Sequence, residues 1–191
     1  AILVSSEEET LEAVRRIAEA GLWGVKFYTS MNPAWIAPAA AEAHRLGLNV
    51  LGHVPATMRP LEAVRAGYDE VTHLNFIMMQ ALPQEVVDVS NTAARFEGPA
   101  QYAKDVDLDG PVMTEFVNEL KQRGIWVDPT IMIFEGSFLG DEPARPPAMV
   151  PYEGTLPVVM ERSLKTGGYP LFGDVTREDF AKSYQKMLEL I

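Results

Sequence analysis

Residues 24–74 read GVKFYTSMNPAWIAPAAAEAHRLGLNVLGHVPATMRPLEAVRAGYDEVTHL, and this stretch decides the fold. Three short apolar runs in it predict strands, at 25–28, 48–54 and 70–74. Between the first two runs, Asn32 and Pro33 are typical of a helix start, and Gly47 is placed to end that helix. Strands that alternate with helices indicate parallel strands joined by helical crossovers, so we expect an α/β fold.

The same alternation continues on both sides of this stretch. Ser6 and Glu9 have the spacing of a capping box, which predicts a helix start. Residues 83–110 predict a helical insertion followed by a polar loop, and 125–131 predict a fourth strand. Thr176 is expected to cap a last helix, whose apolar stripe ends at Ile191.

The segment 135–157 contains five prolines, which is too many for regular structure. The sequence therefore predicts a long loop here. A loop of this length in a compact domain is more often a functional lid than a simple connection.

The number of strands falls short of a closed barrel. Four strands are clear, and an eight-stranded (β/α)8 TIM barrel takes roughly 250 residues, whereas this chain has 191. We therefore expect residues 1–191 to form one incomplete catalytic barrel domain. Because the first residue is Ala1 rather than Met, we expect a piece of a longer protein, and both a cytoplasmic and an exported location stay open.

Composition excludes several classes of function. Lys and Arg total 16 against 27 Asp and Glu, a net charge of −11. Such an acidic surface repels phosphate backbones, so no nucleic-acid partner is expected. The absence of cysteine excludes disulfides, thiolate zinc sites and cysteine nucleophiles. No apolar run approaches the roughly 20 residues that a membrane span needs.

Three polar residues stand out on the predicted strands. Lys26 interrupts an apolar run, and His53 and His73 end the next two runs, with separations of 27 and 20 residues. Each separation suits one strand–helix–strand step, so the three side chains should meet at the carboxyl ends of neighbouring strands, where ligands gather in such folds. Neutral imidazoles are common metal ligands, and Zn, Mn, Fe or Co would suit them.

Each of these residues also has a structural interpretation. An ammonium inside an apolar strand is costly, but an edge strand would let Lys26 extend into solvent. A single strand-end histidine is more often a hydrogen-bonded core residue than a ligand. The third histidine, His44, lies near the end of a predicted helix and is interpreted as structural.

In these stretches the chain resembles the amidohydrolase superfamily, in particular its imidazolonepropionase-like and prolidase-like members. The resemblance covers most of residues 5–131. It is carried by GVKFY at 24–28, AEAHRLGL at 41–48, GHVPA at 52–56 and EVTHL at 70–74.

The resemblance implies a barrel hydrolase for amide-type C–N bonds in dipeptides, N-acyl amino acids or cyclic amides. This chain would supply about strands 4–7. Lys26 would carry a CO2-derived carbamate that bridges divalent ions, with one or two zinc ions expected, and His53 and His73 would bind the second ion. A metal-activated hydroxide would attack the substrate, and Tyr28, on the same strand face as Lys26, would contact the substrate.

Two features of the family are missing. Its first strand supplies a His-x-His pair and its eighth an acid/base Asp, and the three histidines here cannot form such a pair. Asp128 lies on what would be the seventh strand and is not assigned that role. We therefore expect this chain to be inactive alone and to need either the rest of its barrel or self-association.

Two other functions remain open on the sequence. Lys26 could form a Schiff base with a carbonyl substrate in a metal-free lyase or aldolase. Alternatively, the chain could be a non-catalytic barrel module in which protein hydrogen bonds satisfy Lys26 and both histidines.

Overall fold

The computed structural model describes residues 1–141 and 144–191. Its strands are β1 (Gly24–Phe27), β2 (Asn49–Gly52), β3 (Glu70–Thr72) and β4 (Trp126–Asp128). The helices of the described residues are α1 (Glu7–Glu19), α2 (Ile36–Arg45), α3 (Pro60–Arg65), α4 (Leu74–Met78), α5 (Gln84–Asp88), α6 (Ala94–Tyr102), α7 (Pro111–Arg123), α8 (Ile131–Leu139), α9 (Val158–Ser163) and α10 (Arg177–Leu188). Short 3-10 helices lie at Pro33–Trp35, Ala103–Asp105 and Pro147–Tyr152. In this part of the chain no helix has both the length and the apolar character to cross a bilayer.

The strands form one parallel sheet in the order β1-β2-β3-β4. Each strand is followed along the chain by one or more helices before its neighbour begins, so every crossover is helical. This arrangement confirms the predicted α/β class. Because all four strands run in the same direction, their carboxyl ends lie along one edge of the sheet.

One face of the sheet packs on helices. Val25, Val50 and Val71 project from three neighbouring strands and are all buried in the main apolar core. Asn32 accepts a hydrogen bond from Ala34 N–H, as its predicted capping role requires, and begins the turn that leads into α2. The buried residues of α2 recur at helical spacing and are Ile36, Ala39, Ala40 and Ala43.

The opposite face of the sheet is open. Lys26, Leu51, Glu70 and Trp126 form one row across the four strands. Lys26 and Trp126, at the two ends of the row, are exposed, and the Trp126 side chain is 75% accessible. Parallel sheets usually have both faces covered, so this row marks an incomplete layer.

Several predicted boundaries differ from the structure. Residues 125–131 form a strand of only three residues, and Ile131 already begins α8. The predicted loop at 135–157 is wrong in part, because α8 continues to Leu139 and a 3-10 helix occupies Pro147–Tyr152; Pro143 lies outside the described residues. The helical insertion predicted within 83–110 is confirmed by α5 and α6.

Tertiary packing explains why α8 is helical. Phe134 and Phe138 lie one turn apart and are both buried, with ring centroids 5.8 Å from each other. Phe138 also packs edge-on against Phe180 of α10, at 5.1 Å. α10 ends at Leu188, and Ile191 beyond it is 70% exposed, so its predicted place on the core stripe of the helix is wrong.

Gly52 allows β1 and β2 to approach closely just before the first strand-end histidine. Its φ is +134°, and a Cβ there would collide with the backbone of Phe27. Gly47 also has a positive φ, +78°, but a Cβ there would meet nothing within 4 Å.

This difference gives a matched pair of variants. We expect Gly47→Ala to reduce the free energy of unfolding by about 1 kcal/mol, the cost of a left-handed backbone. Gly52→Ala should cost about 3 kcal/mol or more because the backbone clash is added. Urea unfolding monitored by circular dichroism measures the free energy of unfolding of both variants. Equal losses would contradict the close approach of Gly52 to the backbone of Phe27.

Candidate active site

The two strand-end histidines lie side by side at the carboxyl edge of the sheet. His53 directly follows β2, and its N–H donates to Phe27 O at 3.1 Å. His73 directly follows β3, and its N–H donates to Asp128 O at 2.7 Å. Each residue is thus held by a backbone hydrogen bond to the neighbouring strand, which fixes the point from which its side chain leaves the sheet.

The predicted residues line one cavity of about 230 Å³. Lys26, Tyr28, His53 and His73 all contribute to its wall. The remaining lining residues come from the segments that follow β3 and β4 and from α6, and are Asn75, Phe76, Arg95, Phe96, Thr130, Ile133 and Phe134.

The aromatic rings in the cavity are in direct contact. The ring centroids of His53 and His73 are 4.7 Å apart in an edge-on arrangement. The Tyr28 ring lies 4.1 Å from that of His53. The Phe76 ring lies 4.8 Å from that of His53 and 6.3 Å from that of His73. The two imidazoles are therefore close enough to act on one small ligand.

A hydrogen bond orients the His73 ring. Its Nδ1 lies 2.8 Å from Thr130 Oγ1. Thr130 has a left-handed backbone, with φ at 45°, and its N–H donates to Asp128 Oδ1 at 3.1 Å. When Nδ1 is the donor to Thr130, Nε2 keeps its lone pair for a ligand, which is the usual outer-sphere arrangement of metal-binding histidines.

His53 has a different environment. The residue is 5% exposed, and its buried Nδ1 has no hydrogen-bond partner among the described residues. An unpaired nitrogen at this depth is uncommon and calls for an explanation such as a bound ion or water. This unpaired nitrogen on a cavity-lining residue is one sign of a missing interaction partner.

Both imidazoles are held in the neutral form. Burial lowers the pKa of His53 to about 3, assisted by the positive potential of His73, Lys26 and Arg95. Burial, Lys26 and Arg95 also lower the pKa of His73, although Asp128 partly opposes them. Neutral imidazole is the form that binds metals, so both rings are in the ligating state near pH 7.

Lys26 lies where the edge-strand interpretation expects it. β1 is an edge strand, and the Lys26 side chain is exposed, so no buried amine is present. The residue nevertheless lines the same cavity as the two histidines. The structure therefore brings the three predicted side chains together, with the amine accessible to solvent and to dissolved CO2.

The donor set fits a divalent cation under one condition. In the described ranges, no three His, Asp or Glu side chains form a group that could hold a metal ion. Two neutral imidazoles supply nitrogen donors, but an unmodified Lys26 adds positive charge. A carbamate on Lys26 would replace that charge with oxygen donors, which together with two imidazole nitrogens suit a divalent cation.

His44 lies elsewhere and is structural, as predicted. Its Nε2 is 2.9 Å from Asp69 Oδ2, and the same oxygen accepts from Val50 N–H at 2.7 Å. The pair therefore links α2 to the end of the β2–β3 connection, just before β3, rather than to the cavity.

Three polar residues of the cavity were missed by sequence reasoning. Thr130 lies near the end of the strand predicted over 125–131, within the run Asp128-Pro129-Thr130, which is a usable signal because strand ends carry site residues. Asn75 lies on α4, which directly follows His73, and Arg95 lies on α6 of the insertion. Neither of them was assigned a role from the sequence.

Comparisons of the chain with models of protein families, with curated proteins and with solved structures find no match.

The neutral histidines predict a pH dependence of stability. In the unfolded chain the imidazole of His53 has its ordinary pKa of 6.5, whereas in the folded chain its pKa is about 3. Between these two pH values the imidazole is protonated in the unfolded state and neutral in the folded state. The unfolded state then binds more protons, so the free energy of unfolding should fall as the pH drops from 6.5, by up to about 1.4 kcal/mol per pH unit for each such group.

Urea unfolding between pH 5 and 6.5 tests this expectation. His53→Gln should flatten the slope, because the group responsible is removed. His44→Gln, which removes an exposed imidazole, should not flatten it. A wild-type stability that is independent of pH in this window would show that the imidazoles are not held neutral.

Proposed function

We propose that this chain contributes part of the active site of a metal-dependent hydrolase that cleaves amide-type C–N bonds. The observation that carries the proposal is the grouping of Lys26 with two neutral, adjacent imidazoles at the carboxyl edge of a parallel sheet. Catalytic groups gather at this edge in barrel enzymes. The resemblance to amidohydrolases at the same residues supports the same chemistry.

His53 and His73 would hold a divalent cation, with zinc as the expected ion, and a carboxylated Lys26 would complete the donor set. When bound, such a cation lowers the pKa of a coordinated water and polarises the carbonyl of an amide. The role of Thr130 is to fix the orientation of His73. Tyr28, 55% exposed beside His53, would contact the substrate.

An acid/base group has to come from outside the described cavity wall. No Asp or Glu is among the described residues that line the cavity. The carboxylate of Asp128 accepts a hydrogen bond from Thr130 N–H and so serves the backbone. This supports the proposal that the chain alone does not turn over substrate.

The sheet is proposed to be part of a (β/α)8 barrel. β1 and β4 are both unpaired edges within the described sheet, and the row of side chains from Lys26 to Trp126 lacks a covering layer. Closing the sheet would pair both edges and turn that row toward a packed interior. The missing half would be either further chain or a second copy of this chain.

Metal binding tests the catalytic proposal. We expect the purified chain, equilibrated with zinc and bicarbonate, to retain about one ion by elemental analysis after dialysis. Thr130→Val should weaken zinc binding roughly 10- to 100-fold, the usual cost of losing an outer-sphere partner. Lys26→Ala should weaken it further, because a ligand is lost, and removal of CO2 should weaken the wild type but not Lys26→Ala.

Lys121→Ala, which changes an exposed lysine of α7, is the matched control and should bind like the wild type. If Lys26→Ala binds zinc as tightly as the wild type, Lys26 is not a ligand of the ion. If no zinc is retained and borohydride traps a carbonyl compound on Lys26, the Schiff-base function replaces the hydrolase. If neither occurs, the chain is a non-catalytic module.

The open sheet predicts the assembly state. We expect the isolated 191-residue chain to self-associate, with a mass by light scattering above the 21.1 kDa of one copy. Trp126→Glu, on the uncovered row, should shift the chain toward the monomer, because a charge in a newly buried sheet face is costly. Val159→Glu, on the exposed side of α9, should not, and a dispersed wild-type monomer would contradict the expected association.

A further inference from the structure

Arg95 is the cavity residue that the proposed function leaves without a role. It lies in the first turn of α6 and is half-buried at the cavity wall. Its carbonyl oxygen accepts a hydrogen bond from Asn75 Nδ2 at 2.8 Å. This bond attaches the start of α6 to the segment that follows His73, so the backbone at Arg95 is fixed relative to the imidazoles.

The guanidinium group itself has no polar partner. Within the described residues it makes no ion pair and no hydrogen bond, and its contact is with the Phe96 ring, 5.1 Å from Cζ to the ring centroid. Five guanidinium N–H donors are therefore available on a side chain that a ring contact holds in place.

The cavity is positively charged in an acidic protein. The chain carries a net charge of −11, yet the charged side chains among the described lining residues are Lys26 and Arg95, both cationic. Even with a carbamate on Lys26, the positive charge of Arg95 faces the cavity without an acidic neighbour in the wall. The local field therefore favours an anionic ligand at the Arg95 side.

A second polar group marks the same side of the cavity. Asn75 is 2% exposed, lines the cavity, and its Oδ1 has no hydrogen-bond partner among the described residues. Buried amide oxygens are normally paired. An N–H group of a ligand that also binds Arg95 would supply the missing donor.

We propose that Arg95 binds a carboxylate of the substrate, which makes it a specificity-determining residue. This inference rests on the proposed function and narrows its substrates to amides that carry a carboxylate close to the scissile bond. A planar guanidinium binds carboxylate through two parallel hydrogen bonds, which a carboxamide does not reproduce.

A pair of small probes isolates the carboxylate. N-acetylglycine and N-acetylglycinamide are nearly equal in size and differ in carrying a carboxylate or a carboxamide. Isothermal titration of the full chain should show roughly 10- to 100-fold tighter binding of the carboxylate probe. Arg95→Gln should abolish this preference, and Arg65→Gln, which alters an exposed arginine paired with Glu115, should retain it.

Two further variants keep the result interpretable. Arg95→Lys keeps the charge but loses the planar fork, so it should retain an intermediate preference and serves if Arg95→Gln fails to fold by circular dichroism. The inference is overturned if the wild type binds both probes equally or binds neither. It is also overturned if the preference persists in Arg95→Gln and disappears in Lys26→Met.

Zinc content measured on the same samples separates the two proposals. Retained zinc without a carboxylate preference would refute the role of Arg95 and leave the hydrolase proposal intact. A carboxylate preference that depends on Arg95 in a chain that binds no zinc would support the anion site and refute the metal centre.

Discussion

The common direction of the strands is the constraint on which the rest of this structure depends. Because β1, β2 and β3 are parallel and in register, the residues that follow them leave the sheet at one edge. Two backbone hydrogen bonds, from His53 N–H to Phe27 O and from His73 N–H to Asp128 O, continue the ladder past the last strand residue. The imidazoles are therefore positioned by main-chain geometry, and loops only complete their surroundings.

Electrostatics gives this edge its chemical character. Two neutral imidazoles next to Lys26 and Arg95 form a region that repels protons and cations unless negative charge is introduced. Both proposals for the site introduce it, one as a carbamate on the lysine and one as a carboxylate on the substrate. Two of the described residues with unpaired buried atoms, His53 at Nδ1 and Asn75 at Oδ1, both line this cavity, which agrees with the proposal that a ligand binds there.

The sequence predicted features that depend on local pattern. The α/β class and the strand-end positions of His53 and His73 follow from short-range periodicity and from the rule that parallel strands end together. The apolar run at the start of α8 fits a strand or a helix equally well, and packing of Phe138 on a distant helix decides between them. Arg95 could not be found from sequence, because an insertion helix brings it to the cavity and its neighbours give no signal of that placement.

The backbone at His73 has a consequence for how this protein can change. Its φ of 73° lies in the left-handed region that glycine adopts freely, and such a conformation in a side-chain-bearing residue costs about 1–3 kcal/mol. Glycine would adopt this backbone conformation with less strain, but it would remove the imidazole. If His73 binds a metal as proposed, replacing it with glycine would raise stability and remove a ligand, so stability and activity would favour different residues at this position.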